Sequence, residues 1–159
     1  MDKFIWWLKP GEVAGMMMPW LSPERRLCRT AGLNDFDDEL PKLKDRGIES
    51  VVSLLNLESD KYVYESAGFN FLCCPVPDFG PPTMEQTLMI CNFIDNSPKA
   101  VAVHCEGGLG RTGTVLAAWL ILKGATPDEA IIEVRKAEPG AIESNAQFNF
   151  LGRFHEALS

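Results

Sequence analysis

The stretch that most narrows the folds open to this chain is His104-Cys105-Glu106-Gly107-Gly108-Leu109-Gly110-Arg111-Thr112-Gly113. Ala100 to Val103, just before it, is a short apolar run that reads as a buried strand. Thr114 to Lys123, just after it, reads as a buried helix. A glycine-rich loop between a strand and a helix lets successive backbone N–H groups turn inward, and the helix N-terminus adds positive potential. Such a loop is built to hold a phosphate. Here it opens with Cys105 and closes with Arg111. The field that binds phosphate also favours a thiolate, so Cys105 reads as a nucleophile on the floor of a phosphate pocket. The planar fork of Arg111 matches two phosphoryl oxygens, which a lysine would not.

The rest of the chain supplies strands and helices in alternation. Residues 4–9 and 13–18 are apolar runs around Pro10-Gly11, a turn signal, and predict a small hairpin. Trp6, Trp7, Trp20 and Met16-Met17-Met18 read as core and edge packing. Arg25, Arg26 and Arg29 lie in a polar stretch that reads as a solvated loop or as a phosphopeptide-facing surface. Phe36 to Arg46 reads as a helix that starts near Pro41 if the proline occupies its first turn. Ile48 to Leu55 and Phe69 to Val76 read as strands, with a helix from Leu57 to Ala67 between them. Thr83 and Gln86 form a capping box that opens a helix to about Asn96. Thr126-Pro127-Asp128-Glu129 opens another that runs to about Ala137, and a last helix spans about Ser144 to Leu158. This alternation predicts a single α/β domain over residues 1–159, with a central, mainly parallel sheet flanked by helices.

That topology brings in a second group. Parallel strands at 69–76 and 100–103, joined through the helix at 84–96, end at the same edge of the sheet. Ligands of open α/β sheets bind at that edge. Asp78 lies just past the first strand and Cys105 just past the second. Asp78 can therefore reach the cysteine loop as a proton donor, or it is an ordinary turn aspartate among Pro77, Gly80, Pro81 and Pro82.

Composition excludes several classes. A net charge of −7 over 159 residues disfavours nucleic acid and anionic membrane surfaces as partners. No apolar run approaches the roughly 18 residues of a membrane span, and no signal peptide is read at the N-terminus. Five cysteines without Cys-x-x-Cys spacing argue against a disulfide framework and for a reducing cytoplasm. Two histidines without ligand spacing predict no metal, and nothing else calls for a cofactor. The expected protein is a cytoplasmic monomer. Cys73 and Cys74 point to opposite sides of their strand, so one of them is either a buried structural thiol or a partner for an oxidised Cys105.

HCEGGLGRTG resembles the Cys-x5-Arg signature of the protein tyrosine phosphatase superfamily, and the surrounding sequence resembles the short, single-domain atypical dual-specificity phosphatases. The resemblance implies a metal-independent protein phosphatase of the cysteine-phosphatase fold, acting on phosphotyrosine and also on phosphoserine or phosphothreonine in a dual-specificity enzyme. It implies Cys105 as nucleophile, Arg111 with the 106–111 amides (Glu106, Gly107, Gly108, Leu109, Gly110) as the phosphate clamp, and Asp78 as general acid. It implies Thr112 as the hydroxyl that helps sulfur leave, a residue that otherwise simply starts a helix. His104 orders the loop. Gln147 either positions the hydrolytic water or is a surface helix glutamine. Phe79 either walls the pocket mouth or packs within its loop. The competing readings are a phosphoprotein-binding pseudophosphatase, which intact Cys105, Arg111 and Asp78 oppose, and a rhodanese or Cdc25-like domain, which Gly110-Arg111-Thr112-Gly113 opposes.

Overall fold

The computed structural model describes residues 5–19 and 32–159. Readings that rest on residue 4, Trp20, Arg25, Arg26, Cys28 or Arg29 lie outside the described residues. The sheet has the order β1-β2-β5-β3-β4. Its strands are β1 (Ile5–Lys9), β2 (Val13–Met16), β3 (Ile48–Ser53), β4 (Asn70–Cys73) and β5 (Ala100–His104). Three of the four pairings are parallel, and β1 closes one edge antiparallel to β2. The parallel strands carry continuous apolar runs because helices cover both faces of the sheet. All five residues of β5 are buried.

Helices α1 (Gly32–Asp45) and α2 (Asp60–Ser66) cover one face. There Leu40, Leu43 and Tyr64 pack against Met16, Val51, Ala100 and Ala102. Helices α3 (Met84–Asn96), α4 (Gly110–Leu122), α5 (Pro127–Ala137) and α6 (Asn145–Ala157) cover the other. There Ile90, Leu116, Trp119 and Phe150 pack against Val52, Val101 and Val103. Burying a side chain of this size contributes about 1.5–3 kcal/mol. From Val115 onward helix α4 is apolar on all sides because it lies beneath its neighbours, with Val115 to Trp119 fully buried.

Register decides where the chemistry sits. Ser53 of β3 lies opposite both Cys73 of β4 and His104 of β5. These three strands therefore end level, and the loops that follow them share one edge.

Several boundaries differ from the sequence reading, and four of them have a clear physical cause. Helix α4 begins at Gly110 rather than Thr114, because Gly113 N donates to Leu109 O at 2.8 Å and closes a helical turn through the glycines. Arg111 and Thr112 thus belong to the first turn of the helix. Helix α1 runs through Pro41 instead of starting near it. Leu40 and Leu43, buried on either side, anchor the turn that the missing N–H weakens. Helix α2 starts at Asp60, since 57–60 form a turn closed by Asp60 N to Leu57 O. Strand β4 stops at Cys73, although Cys74 N and Val76 N still donate to Ser53 O and Leu54 O.

Candidate active site

Cys105 follows β5 directly and is 3% exposed. Thr112, in the first turn of α4, donates from Oγ1 to Cys105 Sγ at 3.1 Å. Arg111, also buried, donates from Nη1 to Val76 O at 3.1 Å. Its Nη2 lies 3.5 Å from Asp78 Oδ1. One guanidinium thus ties the loop after β4 to the loop after β5. These groups open onto a cleft of about 310 Å³ lined by Asp78, Phe79, Cys105, Glu106, Gly107, Leu109, Gly110, Arg111 and Glu143.

The loop needs its glycines for space as well as for conformation. Gly108 has φ +77°, and a Cβ there would strike the Met16 carbonyl. Gly113 lies so close to the 141–142 backbone that a Cβ would sit 2.7 Å from Ala141 Cβ. The β1–β2 hairpin braces the loop from below. Trp6 Nε1 donates to Gly108 O at 3.1 Å, and Met18 N donates to Glu106 O at 3.0 Å.

His104 is fully buried, and its Nδ1 lies 2.9 Å from Cys105 O. A carbonyl only accepts, so Nδ1 carries the proton. Burial pushes its pKa down to about 4, and the positive charge of Arg111 adds to the effect. The imidazole is neutral at physiological pH and orders the loop by hydrogen bonding.

A family model described as a polymorphic toxin system DSP-PTPase phosphatase matches residues 27–125. The chain belongs to this DSP-PTPase family. It is 33% identical over 129 residues to the bovine protein tyrosine phosphatase type IVA 3, covering 78% of this chain and 72% of that protein. It is 28% identical over 137 residues to the tyrosine-protein phosphatase cdc-14 of Caenorhabditis elegans. That match covers 86% of this chain but only 19% of the nematode protein. The crystal structure of Tk-PTP in the active form is 34% identical, with a TM-score of 0.75 over 98% of this chain and 99% of that one.

In this DSP-PTPase chain the family match includes Phe79 but stops before Ser144 and Gln147, which hold its loop. Phe79 lines the cleft and the residue is 60% exposed, so it is not a packed loop aromatic. Its φ of +60° places it in the left-handed region, a conformation costing about 1–3 kcal/mol for a bulky residue. Two bonds from the start of α6 hold this segment. Ser144 Oγ donates to Phe79 O at 2.6 Å, and Gln147 Nε2 donates to Gly80 O at 3.3 Å. Gln147 is buried rather than a surface residue, and its Oε1 accepts from Glu143 N and Ser144 N.

Sequence reasoning missed Glu143, Ser144 and the bracing role of Trp6. The Ser-x-x-Gln spacing at 144–147 signals a capping box, but not what the cap touches. Trp6 lies opposite Gly15 in the hairpin, and an aromatic facing a glycine was the available sign of close packing. Cys74 lies in the same core cluster as Cys105, while Cys73 Sγ donates to Leu55 O at 3.2 Å. Burial, with Glu58 alongside, pushes the Cys73 thiol up to about 11.

Proposed function

We propose that this chain is a metal-independent protein phosphatase that hydrolyses phosphotyrosine through a cysteinyl-phosphate intermediate. The observation that carries the reading is the Cys105 sulfur, on the floor of an amide-lined cleft, touched by Thr112 and faced by both Arg111 and Asp78. The bound phosphate takes the loop amides and the free edge of Arg111, which releases Asp78 from the guanidinium. The Cys105 thiolate attacks phosphorus in line with the phenolic oxygen. A P–S bond forms and the P–O bond breaks. Asp78, carrying a proton, delivers it to the departing oxygen. Water then attacks phosphorus and gives its proton to the Asp78 carboxylate. The P–S bond breaks, Thr112 donates to the leaving sulfur, and inorganic phosphate departs. Throughout, the amides and Arg111 stabilise charge on the equatorial oxygens.

The cleft also carries Glu106 and Glu143, which disfavour highly anionic lipid headgroups and favour a single phosphoryl group on a peptide. Phosphoserine and phosphothreonine are secondary substrates in this reading. The nucleophile has to stay reduced, which suits a protein acting in the cytoplasm. Turnover of 4-nitrophenyl phosphate in EDTA, compared with Cys105→Ser, tests the reading. Activity that survives EDTA and vanishes in the variant is expected. A folded wild-type chain that binds vanadate but releases no phosphate would replace an enzyme with a phosphoprotein-binding module. Thr112→Ala is expected to retain an initial burst of 4-nitrophenol and to slow the steady state, which rapid-mixing absorbance measures.

A further inference from the structure

The acid loop is fastened at two successive carbonyls by the first turn of α6, an element outside the family match. The Ser144 hydroxyl has two engagements. It accepts from Gln147 N at 3.2 Å, which caps the helix. It also donates to Phe79 O at 2.6 Å. The geometry at Phe79 links that bond to the carboxylate. Phe79 N donates to Asp78 Oδ1 at 3.0 Å, and Gly80 N donates to Pro77 O at 2.9 Å. Asp78 is therefore aimed by the peptide N–H of a left-handed residue whose own carbonyl is held by Ser144. Asp78 is itself largely exposed, and its Oδ1 meets Phe79 N at 3.0 Å and Arg111 Nη2 at 3.5 Å; once bound phosphate takes the guanidinium, the Phe79 bond is the one that aims the carboxyl.

We propose that Ser144 is a positioning residue for the general acid. By holding Phe79 in its left-handed conformation it presets Asp78 over the leaving-group oxygen. The proposal rests on the reading of Asp78 as the acid. An acid matters when the leaving group is poor and matters little when it leaves well as an anion. The contrast between phenyl phosphate and 4-nitrophenyl phosphate therefore isolates acid positioning from general damage to the site.

Three substitutions separate this role from helix capping. Ser144→Thr keeps the cap and the donor. Ser144→Asp keeps the cap, since its carboxylate accepts from Gln147 N, but it has no proton to give Phe79 O. Ser144→Ala loses both. Asp78→Asn is the reference for loss of the acid. In kcat/KM, Asp78→Asn is expected to lower phenyl phosphate turnover at least a hundredfold. Ser144→Asp and Ser144→Ala are expected to lower it about tenfold, while 4-nitrophenyl phosphate falls less than about threefold, as for an acid misplaced but present. Ser144→Thr is expected to match wild type on both substrates. A Ser144→Asp variant that keeps wild-type discrimination, or loses both substrates equally, overturns the clamp and leaves Ser144 as a helix cap. If Asp78→Asn fails to discriminate, the acid reading falls and the clamp falls with it, a result distinct from failure of the Ser144 variants alone.

Discussion

His104 lies under the active-site loop but faces the other side of the sheet, its ring centroid 6.5 Å from that of Tyr64. One nitrogen is used on Cys105 O, and Nε2 is buried with no hydrogen-bond partner among the described residues. With a folded pKa near 4 and an unfolded value of about 6.5, this group refuses a proton that the unfolded chain accepts. Its contribution is fully present above pH 6.5. Stability then falls as pH drops from about 6.5 to about 4, by roughly 3 kcal/mol at the bottom of that window. Urea midpoints between pH 4 and 7 check this: the wild type should lose stability in that range relative to His104→Asn, whose amide still donates to Cys105 O. Phe79 makes a second residue-scale test. Glycine at its left-handed position removes the strain, so Phe79→Gly is expected to raise the melting temperature or leave it unchanged, while loosening the loop that aims Asp78.

The hairpin shows what an element does that its residues alone do not reveal. Its two strands were legible because Pro10-Gly11 marks a turn between apolar runs, and Gly11 indeed takes φ +77°. Its service to the active-site loop was not legible, since it depends on which strand it pairs with. A Cβ at Gly15 would enter the Trp6 indole, and one at Gly108 would enter the Met16 backbone. Gly108→Ala combines that collision with a left-handed backbone and is expected to cost about 2 kcal/mol or more. Gly15→Ala is expected to cost about 1–3 kcal/mol by overpacking. Both should weaken vanadate binding measured by titration calorimetry, and both should lower the calorimetric melting temperature. The β4–α3–β5 unit was the legible part of the site. Parallel strands that end level bring Asp78 beside Cys105, and Arg111 spans the gap at 3.5 Å. The onset of α4 was hidden because its first turn holds two glycines, which propensity assigns to loops. The meeting of Ser144 with Phe79 was hidden because 65 residues separate them, and no local pattern encodes a contact at that range.

For the whole molecule, charge and chain boundaries have consequences that no single element shows. A chain of net charge −7 repels a dianionic substrate at a distance, while Asp78, Glu106 and Glu143 line the cleft. Screening that repulsion should raise kcat/KM for 4-nitrophenyl phosphate roughly two- to threefold between 10 and 150 mM salt. A phosphotyrosine peptide flanked by lysines should show the opposite slope, and stopped-flow or steady-state rates across a salt series read both. The sheet order adds a consequence for dissection. Residues 27–125 contain Cys105, Arg111 and Asp78, yet the hairpin under Gly108 and the serine behind Phe79 both lie outside that span. A fragment cut at those limits would carry every reacting atom and still lack the supports that shape the site. Residues 20–159 and a separate peptide of residues 1–19 instead form a natural split pair, because they leave the serine and its helix in place, and tryptophan emission signals their reassembly.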